Sequence, residues 1–227
     1  IIIVHFAGMP CDMKKIIKIT KKYNIKLIED CAHAIETKYK GIHVGNFGYT
    51  GCFSFYANKN ITTAGEGGMI LSKNKNNDDY FKKLRLHGMS KEAWKRFDIK
   101  KNYHNYDLEF SGLKNNMTNM QASMGIVQLK KIEKMWNLRK KIYFKYQNFF
   151  KNYDVGIQII NDSLKNYKHA YHLFIIYFRN TGKTNIRNKF IQFLKKNKIG
   201  FGIHYRAIND LKYYKIKYKW NKNTAPN

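Results

Sequence analysis

Residues 1–30 read IIIVHFAGMPCDMKKIIKITKKYNIKLIED, and the alternation of apolar and amphipathic segments within them decides the fold. Residues 1–6 form an unbroken apolar run, the pattern of a strand covered on both faces. Asp12, after Pro10, suits a helix N-cap, and residues 13–23 follow a helical period with Ile16, Ile17 and Ile19 turned inward. Asn24 closes that helix, and residues 25–28 make a second apolar strand. Strand, helix and strand in this order form a parallel crossover, so the class is α/β. In open parallel sheets the ligand crevice lies beyond the carboxyl ends of the strands. That rule puts Gly8 and the segment Glu29-Asp30-Cys31-Ala32-His33 at the rim of the crevice.

Working outward, residues 51–56 read as a third strand, the glycines at 65–68 as a turn, and residues 69–72 as a fourth strand. A helix is expected over 78–86, and the aromatic, charged stretch 88–112 has no period and reads as an excursion loop. From residue 117 a long helical pattern runs to about 150, capped by Thr118, with Met120, Met124, Val127, Ile132 and Met135 as its apolar stripe. A strand over 170–178, a helix over 185–198 and a short strand around Ile203 then suggest a smaller α+β domain. The expected organisation is a large domain over 1–116, a connecting helix over 117–150 and a small domain over 151–227.

With 227 residues and 44% hydrophobic content, the chain can bury a substantial core. The longest apolar run, 173–178, is far too short to span a bilayer, and no secretory signal pattern opens the chain. A cytoplasmic protein without a membrane partner is expected. Three cysteines without CxxC spacing indicate reduced thiols and no zinc motif, so no metal is expected. The formal charge of +28 invites a nucleic-acid reading. The lysines, however, are scattered through nearly every segment beside many Asn and Ile, as a base-composition bias of the genome would produce, and no nucleic-acid partner is expected. The chain opens on an apolar strand without Met and ends in a loop-like segment, and is read as a portion of a longer protein.

Residues 53–70, FSFYANKNITTAGEGGMI, set Lys59 between an aromatic strand and a glycine-rich turn. The glycines match neither a dinucleotide fingerprint nor a P-loop, and they lead into a strand instead of a helix. Singly, each polar residue has an ordinary explanation: Lys59 as a solvated loop residue, Asp30 as a turn cap, His33 as structural, Ser54 as a strand hydroxyl. Taken together, a lysine able to form a Schiff base, a carboxylate for a pyridinium nitrogen and a hydroxyl for a phosphate are what pyridoxal 5′-phosphate requires.

Several blocks carry a family likeness: IEDCAHA at 28–34, GNFG at 45–48, FSFYANKNITT at 53–63 and GEGGM at 65–69, then LHGMS at 86–90, AWKR at 93–96, NMT at 116–118, YHLF at 171–174 and GIHYR at 202–206. In this order they resemble the successive motifs of the DegT/DnrJ/StrS sugar aminotransferases. The resemblance implies a fold-type-I transferase dependent on pyridoxal phosphate, with a mostly parallel large domain and a smaller α+β domain. It implies that Lys59 bonds the cofactor's aldehyde carbon and shuttles the proton, that Asp30 pairs with the ring nitrogen, and that His33 lies near the ring. Ser54 would bind the phosphate, and Asn116 would reach the phosphate of a neighbouring subunit, making the protein a homodimer with shared sites. His172 and His204 fall on blocks near the substrate entrance. The implied reaction moves an amino group from glutamate to a nucleotide-linked keto sugar, closest in look to UDP-4-keto sugars, for cell-envelope polysaccharide or lipopolysaccharide. Two alternatives stand beside it: a dehydratase of the same family, whose members carry His at the lysine position, and a regulatory or nucleic-acid-binding relative. The sequence departs from the family pattern at Ala64, an extra residue before the GEGG turn, at Tyr49 where Asp is frequent, and at Asn119 where Asp is common.

Overall fold

The computed structural model describes residues 1–90, 107–152, 157–159, 165–178 and 185–221. The chain divides into two compact units, Ile1–Tyr177 and Phe178–Asn227. In the first, β1 (Ile2–Val4) runs into a single 3-10 turn and then α1 (Met13–Lys22), followed by β2 (Ile28–Asp30). A short hairpin of β3 (Lys38–Tyr39) and β4 (Ile42–His43) precedes β5 (Thr50–Ser54) and β6 (Gly68–Leu71). Then come α2 (Lys75–Leu84), α3 (Asn119–Lys130) and α4 (Ile132–Lys151), with β7 (Ile157–Ile159), β8 (Tyr167–Lys168) and β9 (Ile176–Phe178) after them. The main sheet has the order β1-β2-β5-β6, parallel across the first three strands and antiparallel at β6. The second unit carries α5 (Ile186–Lys196), capped by Asn185, and α6 (Lys212–Tyr218).

The crossover unit forms as the sequence indicates, with Asp12 accepting a hydrogen bond from the Lys15 amide at the start of α1. The second strand, however, begins three residues later than its apolar run. Ile25 is used to close α1, its amide bonding the Thr20 carbonyl at 2.9 Å, with Asn24 in the left-handed region at φ 50°. The parallel register then pairs Ile2 with Ile28 and Val4 with Asp30, which makes Asp30 the last residue of the strand. In α1, Met13 and Thr20 are the buried positions, Ile16 and Ile17 are half-buried, and Ile19 is exposed.

The long helix is two helices broken at Lys131, whose amide closes α3 by bonding the carbonyls of Gln128 and Leu129. Thr118 and Gln121 form a reciprocal capping box at its start. Its expected apolar stripe is exposed along α3, with Met120 80% exposed and Met124 and Val127 also exposed, whereas Ile132 and Met135 in α4 are half-buried, Ile132 against the core. Helical period locates an apolar face without saying what covers it. The expected strand over 170–178 survives only at its carboxyl end, as β9, because Ala170, His172 and Leu173 are bound to the 3-10 turn instead. Around Ile203 no strand forms among the described residues. Most of the excursion loop lies outside the described residues; its two ends are joined by bridges of Leu86 with Lys114 and Met89 with Leu108.

One buried carboxylate organises the sheet's edge. Glu29 is fully buried, and its Oε1 accepts the amides of Phe47 and Gly48, both at 2.7 Å. Its Oε2 accepts the Gly45 amide at 2.8 Å and His5 Nε2 at 3.1 Å. His5 Nδ1 accepts from the Cys11 amide, so Nε2 carries the proton and the ring is a donor to Glu29. Burial opposes ionisation of Glu29, but the bonds from His5, Gly48, Gly45 and Phe47 outweigh it and hold the carboxyl below its usual range. Gly45, at φ 85°, is required here: a Cβ would meet the Phe53 ring at 2.8 Å, and a Cβ on Gly51 would strike Gly45 itself. His5, Glu29 and Cys31 also bring three ligand-type atoms together. Both Glu29 oxygens are already engaged, and burial pushes the Cys31 thiol far above its usual range, so the group acts as a hydrogen-bond hub.

Glu29→Gln turns an NH2 toward two donors and is expected to destabilise the fold by roughly 3 kcal/mol at neutral pH. Because the folded pKa lies below the unfolded one, Glu29's contribution is present above about pH 4.3 and is lost as pH falls through the lower folded value. Urea unfolding should therefore show a gap between native and variant protein that narrows in acid.

Candidate active site

Asp30 ends β2 beside Cys52 of β5, and its Oδ1 accepts the Ala32 amide at 2.9 Å, which turns the chain away from the sheet. β5 ends two residues later, at Ser54, whose Oγ accepts the Tyr56 amide at 3.3 Å. A tight turn follows, in which the Lys59 amide bonds the Tyr56 carbonyl at 2.9 Å. Asp30, Ser54 and Lys59 are all half-buried at the carboxyl ends of two adjacent parallel strands. Burial lowers the Lys59 ammonium below the ordinary lysine range, and the Asp30 carboxylate partly opposes this. Both residues lie at the carboxyl end of the sheet, Asp30 at the end of β2 and Lys59 in the turn after β5.

The glycine turn backs this segment. Phe55 and Ala57 donate their amides to the carbonyls of Gly67 and Gly65, at 2.8 and 3.0 Å. Thr62 Oγ1 donates to the Phe55 carbonyl and accepts from the Gly65 amide, while Thr63 Oγ1 donates to the Glu66 carbonyl. The extra residue is accommodated as a left-handed pair, Ala64 at φ 63° and Gly65 at φ 102°. For Ala64 that conformation costs about 1 kcal/mol.

His33 is buried, with Nδ1 accepting the Ala7 amide at 3.3 Å. The ring of His172 lies against it, centroid to centroid at 4.4 Å. The chain reaches this point because the 3-10 turn Phe6–Gly8 captures residues 170–173: Ala170 bonds the Gly8 carbonyl, and His172 and Leu173 bond that of Ala7. From the other side α4 holds the same segment, with Trp136 Nε1 on the His169 carbonyl at 2.7 Å and Arg139 Nε on that of Ala170 at 3.4 Å. His172 Nδ1 meets Asn60 Oδ1 at 2.7 Å, and Asn60 Nδ2 donates to Glu36 Oε2 at 2.8 Å. Arg139 pairs with the other oxygen of Glu36. Burial pushes the Glu36 carboxyl above its usual range, against the opposing pull of Asn60 and Arg139.

Glu36, Asn60 and Arg139 escaped the sequence reading. A signal was present: in a chain with only 15 acidic residues, Glu29, Asp30 and Glu36 fall within one short segment, and Asn60 directly follows the lysine. Of the remaining candidates, Asn116 is exposed and accepts from Lys114 Nζ, in the first unit but outside the Asp30–Lys59 crevice contacts. His204 is exposed in the second unit, its ring against Tyr205. The donor set of Lys59, Asp30, Ser54 and His33 suits a pyridoxal-type group: an amine held below its ordinary range by burial, a carboxylate and a hydroxyl at the ends of adjacent strands, and a buried ring three residues after Asp30.

A family model described as the DegT/DnrJ/EryC1/StrS aminotransferase family matches residues 1–227. The chain is 42% identical to an uncharacterized protein of Methanocaldococcus jannaschii, MJ1066, over all of its own length and 58% of that protein's. It is 34% identical to the spore coat polysaccharide biosynthesis protein SpsC of Bacillus subtilis, over 99% of the chain and 57% of SpsC. The chain thus spans somewhat over half the length of these curated relatives. Among solved structures it superposes on PseC of Helicobacter pylori, an aminotransferase involved in the biosynthesis of pseudoaminic acid, with a TM-score of 0.85 and 26% identity over the whole chain and 56% of PseC. It also superposes on the PMP form of Spr1654 of Streptococcus pneumoniae, a putative sugar aminotransferase, with a TM-score of 0.83 and 30% identity over 99% of the chain and 60% of that protein. The fold is therefore that of the fold-type-I aminotransferases, as the sequence reading expected.

Asp30→Asn removes the one charge that raises the Lys59 pKa, so the lysine should become a stronger acid still. Reductive methylation with labelled formaldehyde, followed by carbon NMR across pH on cofactor-free protein, should show the Lys59 titration move downward. An unchanged or raised midpoint would separate the two side chains.

Proposed function

The chain belongs to the DegT/DnrJ/EryC1/StrS aminotransferase family, and from that premise we propose that the whole protein is a sugar aminotransferase dependent on pyridoxal 5′-phosphate. Its reaction moves an amino group from glutamate to the keto carbon of a nucleotide-linked sugar, a UDP-4-keto sugar being the leading candidate, on the way to a cell-envelope polysaccharide or lipopolysaccharide. The observation that carries the reading is the parallel register of β2 and β5, which sets Asp30 and Ser54 at the carboxyl ends of adjacent strands with Lys59 in the turn that follows. The descriptions of SpsC and PseC support the sugar and polysaccharide part of it.

Each residue has work suited to its surroundings. Lys59, already biased toward the neutral amine by burial, holds the cofactor through Nζ and moves a proton at that same atom. Asp30, with Oδ1 engaged by the Ala32 amide, accepts a ring N–H and keeps that nitrogen protonated. Ser54 Oγ and the amides around it take the phosphate, and His33 walls the ring. Bound there, pyridoxal 5′-phosphate supplies an aldehyde carbon and an electron-withdrawing ring. Asn116, exposed on its own chain, serves the phosphate of a second subunit in a homodimer with shared sites. His172 serves the sugar.

Lys59 also speaks against the dehydratase alternative, which uses histidine at that position. In the full-length protein, Lys59→Ala should abolish borohydride-stable attachment of the cofactor, read by peptide mass spectrometry. Attachment at another residue would overturn the lysine assignment. A panel of nucleotide keto sugars with glutamate, read by mass spectrometry, should yield an amino sugar from the native protein and none from the variant.

A further inference from the structure

The glycine turn that follows Lys59 is held from outside by the first turn of α3. Gly65 and Gly67 give their carbonyls to the amides of Ala57 and Phe55, a short ladder that closes the loop carrying Lys59. The carbonyl between them, that of Glu66, accepts twice: from Thr63 Oγ1 at 2.7 Å and from Gln121 Nε2 at 3.2 Å.

The side-chain amide of Gln121 can sit only one way round. The Thr118 backbone amide is a donor and lies 3.0 Å from one end of it, so that end is the oxygen. The Glu66 carbonyl only accepts, so the end facing it is the NH2. Thr118 Oγ1 accepts the Gln121 backbone amide and gives its own proton to Gln121 Oε1. One side chain thereby caps α3 with its oxygen and clasps the glycine turn with its nitrogen. Packing follows the same seam. Gly125, one turn further along α3, is buried, and a Cβ there would come within 3.0 Å of Thr63 Cγ2. A Cβ on Gly67 would come within 3.1 Å of Met117 Cε, and Met117 itself packs on the core cluster that holds Phe55 and Ile61.

We propose that Gln121 is a positioning residue for Lys59: its NH2 clasps the Glu66 carbonyl and so fixes the ladder that holds the lysine turn at the carboxyl end of the sheet. The work given to Lys59 rests on the aminotransferase reading above; the clasp does not. A capping box needs only an acceptor at this position, which glutamate supplies as well as glutamine. Only an amide accepts for the cap and donates to the turn at once.

Three variants of the full-length protein separate the two duties. Gln121→Glu keeps the cap and removes the clasp. Gln121→Met removes the clasp without adding a charge. Thr118→Ala weakens the cap but spares the clasp, because its backbone amide still donates to Gln121 Oε1. The Lys59 titration is read on cofactor-free protein by carbon NMR after reductive methylation, its signal assigned by loss in Lys59→Arg. The dissociation constant of pyridoxal 5′-phosphate is read by absorbance. Burial holds the Lys59 ammonium below its ordinary range, so a loosened turn admits water and should move the midpoint up in both Gln121 variants. The dissociation constant should rise about tenfold in both. Thr118→Ala should lower Tm and change neither quantity.

A Lys59 midpoint unmoved in Gln121→Met overturns the proposal. So does one that Thr118→Ala moves as far, since the stability of α3 would then be the cause. In native protein the Gln121 NH2 should exchange its protons more slowly than solvent-exposed side-chain amides do. Exchange at their rate overturns the proposal even where both Gln121 variants fail to fold. Should pyridoxal 5′-phosphate attach elsewhere than Lys59, the reading of the site fails, while the titration and the exchange rate still decide the role of Gln121.

Discussion

Four hydrogen-bond donors converge on the buried carboxylate of Glu29, and the geometry of the crevice depends on them. Glu29 sits in the middle of β2, flanked by β1 and β5, and gathers the backbone of residues 45–48 against the sheet. Alternation along the strand then turns the next side chain, Asp30, to the other side. An inward acid whose oxygens are all bonded by the protein thus fixes the position of the acid that follows it at the strand's end. Such an arrangement tolerates no register slip, since a shift of one residue would exchange the two carboxylates.

The parallel pairing of β2 with β5 does the rest of the placement. Because Asp30 pairs with Cys52, the strand carrying Ser54 stops just beyond Asp30, and the turn that follows returns Lys59 to the same end of the sheet. The surroundings of Lys59 are opposed in sign: burial favours its neutral form and Asp30 favours its charged form. In a chain of formal charge +28, where most lysines face solvent, this local environment is what separates Lys59 from the other cations.

The parts legible in the sequence were those with a local cause. The crossover unit, the caps at Asp12 and Thr118, and the glycine turn each follow from residues a few positions apart. Lys59 and Asp30 could be paired because strand ends and motif spacing suffice to bring them together. What escaped depends on contacts distant in sequence: Asn60 with His172, Glu36 with Arg139, and the capture of residues 170–173 by the turn at Phe6–Gly8. The same limit explains the strand expected over 170–178. Its apolar pattern was real, but its backbone donors found the carbonyls of Ala7 and Gly8 first. The apolar stripe of α3 was likewise visible, while its exposure was not, since period says nothing about the presence of a facing surface.

The two buried glutamates of this region differ in a way that bears on function. Glu29 collects enough donors to overcome burial, and its carboxyl is held below the usual range. Glu36 does not: burial prevails over Asn60 and Arg139, and its carboxyl is raised. Glu29 is thus a settled charge that contributes to stability, whereas Glu36 is a costly one, held by two partners and poorly compensated. Burying such a charge is a weak route to stability. Its value lies in direction, because an oriented carboxylate imposes a single hydrogen-bond polarity on everything bonded to it in series. Asn60 inherits that polarity, and His172 inherits it from Asn60.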